Sequence, residues 1–429
     1  MKLSTQPYKG TRDFYPEDKR LQKYMFGVLR QVVESYGYHE YDASILEPVD
    51  IYAAKSGEEI VNEQLYSFED KGGRKVAIRP EMTPTVSRMV AARRQELAYP
   101  LRLYSIPNLW RYERPQRGRL REHWQLNVDI FGVAGIEADH EIILIADSIL
   151  KTLGAKSGSY TIYVNSRELL DYFLSEVISL NQKDLQAVSR LIDKKSKISA
   201  TAFVDSVKKI IRNKNHVAQL VEFLNSKNLS SLPSSVRARE SVTRLEKLLG
   251  LLRKSGVNEA AFNPSTVRGL DYYTDIVFEV YDNNPDNNRS MFGGGRYDGL
   301  VGLFGVAPLP TVGFGMGDVT LQNFLEGHKL LPKLPPEHDA VVILIGDVYA
   351  GTQSLLKELR AKGANLSVDN TGRKLDTQIK NAVKSDARYA IFIGEEELKS
   401  GKLKLRDLGA GQEKVLTLSQ LAETLTANR

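Results

Sequence analysis

One stretch constrains this chain more than any other: Leu101 to Val133, reading LRLYSIPNLWRYERPQRGRLREHWQLNVDIFGV. It predicts two β-strands joined by a strongly basic loop. In the returning strand, Trp124, Leu126, Val128 and Ile130 share one face. Gln125, Asn127 and Asp129 take the other, the period-two pattern of a strand with one apolar side. The outgoing strand puts Arg111 and Glu113 on a common face, and Arg114, Arg117, Arg119 and Arg121 crowd the loop between them. Such a hairpin suits a floor for a small polar substrate with phosphates at its edge. An ordinary hairpin with a solvated face satisfies the same pattern.

Composition narrows the chemistry. The 429 residues leave room for roughly two to four domains. No apolar run approaches the roughly 18 residues of a membrane span, and the opening MKLSTQPYKGTRDFYPEDKR has no apolar core of a secretory signal. With no cysteine, disulfides, thiolate catalysis and thiolate-held zinc are excluded, and a reducing cytoplasm is the expected setting. Six histidines with no HxxxH or HExxH pair leave no imidazole-held metal expected. A net charge of +6 permits a nucleic-acid partner without demonstrating one.

Read in order, the chain opens with a turn-rich lead and then a helix from about Pro16. Leu21, Met25, Val28, Leu29 and Val32 recur at helical spacing there, and Gly37 ends it. Tyr38 to Ile45 reads as a strand that Glu47-Pro48 breaks. Residues 65–78 read as a hairpin about Lys71-Gly72-Gly73. Thr83 is the expected cap of a helix from Pro84 to Arg94, with Glu81 as a fixed anion beside it. Residues 137–153 read as a helix and 160–164 as a strand. Residues 166–255 read as a helical insertion rich in Lys and Ser. Strand character returns over Arg268 to Tyr281, followed by a polar loop, Asp282 to Arg289, and the glycine run Phe292-Gly293-Gly294-Gly295-Arg296-Tyr297-Asp298. No Walker pattern occurs, and the GxGxG near Gly313 lacks a dinucleotide-binding context. The proline-bearing 329–337 is the expected linker to a small α/β domain over 338–429. Arg373, Lys374 and Lys380 flank that domain's second helix.

Together these stretches resemble the histidyl-tRNA synthetase family of class II aminoacyl-tRNA synthetases. Trp110 to Gly118 looks like class II motif 2, and Ser35 to Pro48 like motif 1, which builds a dimer interface in the family. Arg79-Pro80-Glu81-Met82-Thr83 is similar to the RPEGT segment. Arg268-Gly269-Leu270-Asp271-Tyr272-Tyr273 and Gly294-Gly295-Arg296-Tyr297-Asp298 are similar to the two histidine-specific segments. The resemblance implies an α+β fold: a mixed, mostly antiparallel sheet with flanking helices over 1–328, a helical insertion, and a C-terminal anticodon-binding domain. It implies a cytoplasmic homodimer with no membrane association. Its partners would be L-histidine, ATP with Mg2+, and tRNA(His), joined through a histidyl-adenylate.

By the same resemblance, Arg111 and Arg268 are the catalytic cations. Glu81, Met82, Thr83, Arg111, Gln125, Asp129, Arg268, Tyr272, Tyr273 and Tyr297 bind histidine. Arg111, Glu113, Arg119 and Arg121 bind ATP, and Gln116 and Arg121 meet the tRNA acceptor end. Two positions depart from the family pattern. Asp129 stands where many bacterial relatives carry Glu. Thr320 stands where motif 3 usually ends in an arginine, so the hairpin arginines Arg119 and Arg121 are expected to carry more of the ATP binding. Two rivals share parts of the pattern. One is the histidine-sensing regulatory paralogue of ATP phosphoribosyltransferase, which lacks the anticodon domain. The other is a synthetase for a different amino acid.

Overall fold

The structure is a computed structural model that describes residues 3–53, 63–195, 198–268, 272–287, 289–336 and 338–427. Two compact units divide it. One comprises residues 1–13 and 22–331, the other 14–21 and 332–429. The division at 331 falls inside the expected linker, and the insertion belongs to the first unit.

Among the described residues, the first unit is built on a nine-stranded sheet. Glu122–Phe131 is the longest and lies centrally. Leu101–Ser105 pairs with it on one side and Thr311–Gly317 on the other, both antiparallel. Ser290–Arg296, Ile276–Asp282 and Tyr160–Ser166 continue the antiparallel order outward. Only the flanking pairs, His39–Glu40 with Leu101–Ser105 and Ala260–Phe262 with Tyr160–Ser166, are parallel. Leu126, Val128 and Ile130 are buried, and Val312, Phe314 and Met316 beside them are buried too. This apolar side meets the helices Ile136–Thr152 and Asp318–Gly327. Arg296 fastens the same side. Its fully buried guanidinium donates to Asp139 on the first of those helices at 2.5 Å and to the carbonyls of Val133 and Gly135.

Several local expectations shift. The outgoing strand of the basic hairpin is interrupted: Asn108–Trp110 pairs with Glu122–Trp124, and residues 111–121 form the loop. Tyr38–Ile45 is strand only at His39–Glu40, and Pro48 lies inside the strand Leu46–Pro48. That strand is the edge of a small three-stranded sheet, where a missing N–H breaks no ladder. Arg268, Tyr272 and Tyr273 are not strand, because Arg268 has φ +61°, which no ladder accommodates; Gly269, Leu270 and Asp271 lie outside the described residues. The glycine run, by contrast, is a strand. Between residues 167 and 255 the described elements are helical.

The second unit orders its strands Leu366–Asp369, Ala340–Leu344, Tyr389–Ile393, Lys402–Asp407 and Glu413–Thr417, the first three parallel and the rest antiparallel. Alternation in Ala340–Leu344 buries both faces. Val342 packs with Leu356, Leu359 and Leu421, and Val341 and Ile343 with Ala382 and Phe392. Each unit therefore has its own core.

Candidate active site

The polar face of the central sheet floors a cavity of about 1240 Å³. Its floor is shaped by glycine. Gly313, Gly315 and Gly317 stand opposite Asp129, Asn127 and Gln125, and Gly295 and Gly293 lie across from Gly313 and Gly315. The missing side chains leave room that polar groups occupy. A Cβ on Gly313 would lie 2.0 Å from Asp129 Oδ1, and one on Gly315 2.5 Å from Gln125 Nε2. On Gly295 it would meet the Tyr273 ring at 3.0 Å, and on Gly293 the Arg268 guanidinium at 3.2 Å. Gly313 and Gly315 thus open the sheet surface for Asp129 and Gln125, while at Gly293 and Gly295 the backbone carbonyls of Phe278 and Ile276 lie nearer still than Arg268 and Tyr273.

Asp129 is buried, and the Tyr297 hydroxyl donates to its Oδ1. Its Oδ2 has no hydrogen-bond partner among the described residues. Burial pushes this carboxyl up to about 7, against the opposing hydrogen bond from Tyr297. A buried acceptor of this kind calls for a donor from a ligand. Tyr272 donates to Glu81 Oε2 at 3.2 Å, and burial, with Glu81 beside it, holds that phenol well above its ordinary value. Tyr272, Tyr273 and Tyr297 form one buried aromatic wall, with centroids of 4.8 Å and 5.5 Å between neighbouring rings.

The helix after Glu81 begins one residue earlier than expected, as Thr83–Ala92. Its N-cap is Met82, with no side-chain cap. Thr83 is therefore inside the helix with its side chain on the cavity, while Met82 is fully buried beneath and does not line it.

Two half-buried cations, Arg111 and Arg268, line the cavity. Arg111 donates through Nε to Pro80 O at 2.9 Å, and its terminal nitrogens have no protein acceptor among the described residues. Arg268 donates to Glu279 Oε1 and Gly293 O, each at 3.1 Å. Its positive φ is the cost, roughly 1 kcal/mol or more, of turning the side chain into the cavity. Among the described residues no three carboxylate or imidazole groups gather as a metal cage.

The comparisons with known proteins fit this geometry. The model of the family described as histidyl-tRNA synthetase matches residues 10–319, and that of an anticodon binding domain matches 339–428. The chain belongs to the histidyl-tRNA synthetase family. A relative named Histidine–tRNA ligase from Leptospira biflexa is 44% identical over 99% of this chain and 98% of its own length. One of the same name from Thermoplasma volcanium is 40% identical over 97% of each. The crystal structure of histidyl-tRNA synthetase from Nostoc superposes with a TM-score of 0.82 over the whole of both chains at 23% identity, a likeness of fold. The α+β architecture expected from the sequence is that of this family, and so is the enzyme class, an aminoacyl-tRNA synthetase.

Within this synthetase the hairpin arginines separate. Glu113, Gln116 and Arg119 line the cavity, with Arg119 3.8 Å from Glu113. Arg121 does not. Its guanidinium donates to Glu113 O and the Tyr8 hydroxyl and stacks 4.0 Å over the Tyr112 ring. Those contacts, with 8% exposure, hold the loop, and the structure does not bring Arg121 into the cavity lining with Glu113, Gln116 and Arg119. Sequence reasoning also left out groups the cavity gathers. Asn127 Oδ1 accepts from Gln125 Nε2 at 2.7 Å and fixes its amide; the alternation of the strand already carried that signal. His123 lies on the wall, and burial, with Arg111 and Arg12 adding to it, lowers its imidazole to about 3, so it is neutral. Glu279 and Arg289 line the cavity, as do Gln186 and Ser189 of the insertion helix Gln182–Asp193. Their approach is a matter of tertiary folding that no local pattern announces.

Proposed function

We propose that this chain attaches L-histidine to tRNA(His) in two steps within this cavity. A histidine carboxylate oxygen attacks the α-phosphorus of ATP, the bond to the bridging oxygen breaks, and pyrophosphate leaves. A hydroxyl of the terminal ribose of tRNA then attacks the carbonyl carbon of the adenylate, and AMP leaves. Nucleophile and phosphorus centre are both anionic, so fixed cations help more than a covalent nucleophile. Arg111 and Arg268 meet the α-phosphate from two walls, and Arg111 also holds the carboxylate. Mg2+ arrives as the counter-ion of ATP. Glu113 and Arg119 face the nucleotide, and Gln116 the tRNA end.

The observation that carries the reading is Asp129 beneath the aromatic wall. Its unmet Oδ2 suits an imidazole N–H, and the Tyr273 hydroxyl suits the other ring nitrogen. Glu81, Thr83 and Gln125 surround the place for the ammonium group, and Tyr272 and Tyr297 close the sides. Aminoacylation of tRNA with labelled histidine by the purified chain is the test. Charging of tRNA(His) alone supports the reading, and its absence refutes it. A homodimer in the cytoplasm, joined through the Ser35–Pro48 region, completes the proposal; a sedimentation mass near that of one chain would contradict the dimer. The regulatory reading gains nothing from the site. A structure described as an ATP phosphoribosyltransferase regulatory subunit/histidyl-tRNA synthetase from Bacillus halodurans shares the fold at 22% identity and a TM-score of 0.75, which distinguishes neither role.

A further inference from the structure

We propose that Arg289 grips the outer phosphates of ATP in this chain. The inference rests on the reading of the cavity as a site for histidine and ATP, and it names the residue that fills the gap left by Thr320. Thr320 brings no charge, and its hydroxyl is turned to the backbone, donating to Met291 O at 2.9 Å and Gly317 O at 3.1 Å. Arg289 lies beside it. Its Nη1 and the Thr320 methyl are each 3.6 Å from the same point, the place where a side chain on Gly118 would begin. Gly118 has φ +77° and leaves that space open between the basic loop and the floor.

The electrostatic setting singles Arg289 out. Of the cavity's six arginines, Arg268 faces Glu279, Arg119 faces Glu113, Arg167 faces Asp171, and Arg190 is engaged as well. Arg111 and Arg289 face no carboxylate among the described residues. Arg289 is nevertheless anchored, since Nη1 donates to Arg117 O at 2.6 Å. A guanidinium pinned by one nitrogen to a neutral carbonyl keeps its charge and its remaining N–H groups for an anion. Position fixes which anion. Ser290, next to Arg289, donates to the same Glu279 Oε1 that holds Arg268, and Arg289 itself is exposed at the start of the strand Ser290–Arg296. Arg268 and Arg111 serve the reacting phosphate, and Arg289 stands further out on the same wall, where the β- and γ-phosphates extend. The bond to Arg117 O also ties the basic loop to the floor, so binding ATP there closes two walls on one ligand.

The test compares the parent, Arg289→Ala, Arg289→Lys and the double variant Arg289→Ala with Thr320→Arg, as full chains. Calorimetry gives the affinities for ATP and AMP, and histidine-dependent pyrophosphate exchange gives the Michaelis constants. Loss of one charge-assisted contact predicts that Arg289→Ala weakens ATP about tenfold to a hundredfold while AMP and the KM for histidine move less than about twofold. Arg289→Lys recovers part of the loss, and Thr320→Arg in the Ala background recovers part as well. Unchanged ATP affinity in Arg289→Ala overturns the proposal. An equal loss of AMP binding overturns it too, since the contact would then be to adenosine or the α-phosphate. A parent that binds ATP but exchanges no pyrophosphate contradicts the proposed function, while the calorimetric comparison still decides Arg289.

Discussion

Asp129 concentrates the physics of the site in one carboxyl. Burial raises it from an ordinary 3.8 to about 7, so the unfolded chain ionises this group first. The folded state therefore loses stability as pH rises from about 4 to about 7, and no cost exists below the unfolded value. Asp129→Asn should melt higher than the parent at pH 8, with the difference closing below about pH 4. Function runs the other way, because the ionised carboxylate is the better acceptor for an imidazole N–H. Between pH 6 and 8 its ionised fraction grows about tenfold, so the KM for histidine should fall about tenfold beyond the ligand's own titration. In Asp129→Asn that extra dependence should vanish; a parent and variant with parallel profiles would show that Asp129 does not read the imidazole.

The floor is the element on which the site depends, and its glycines make different predictions. A Cβ on Gly313 would collide with Asp129 Oδ1 and also with Val128 O at 2.7 Å, and backbone cannot step aside cheaply. Gly313→Ala should cost about 1–3 kcal/mol of stability and abolish histidine activation. At Gly315 the collision is with the end of the Gln125 side chain alone, at 2.5 Å to Nε2. Gly315→Ala should melt within a few degrees of the parent, yet raise the KM for histidine. Equal losses of stability in the two variants would mean the floor is merely packed. Much of this element was legible in the chain. Alternation of Gln125, Asn127 and Asp129 against Leu126, Val128 and Ile130 set the faces, because period-two patterning is local. The turn at Arg268 was not legible, since a positive φ in an arginine opposes its local preference and is held by Glu279 and Gly293 O, which come from elsewhere. The placement of Arg121 was not legible for the same reason. Its sequence context is a basic loop, whereas Tyr8, at the far N-terminal end, occupies its guanidinium. Arg289 gave no local signal at all, being one more polar residue in a loop until Gly118 and Thr320 arrived beside it.

At the scale of the molecule, two units with separate cores imply separable tasks. Every residue lining the large cavity belongs to the first unit, and the anticodon-domain match lies wholly in the second. Ending the chain after residue 331 should leave pyrophosphate exchange within about tenfold of the parent while tRNA charging falls by more than about a hundredfold, as expected of domains that fold on separate cores. A parallel loss of both would mean that the second unit is needed to build the site. The Asp129 pocket and the Arg111–Arg268 pair are proposed to activate histidine and no other amino acid. Exchange of labelled pyrophosphate into ATP by the purified full chain, run with each amino acid in turn and without tRNA, decides it. Exchange is expected with histidine alone. Exchange with a different amino acid, or with none while histidine still binds, would contradict it.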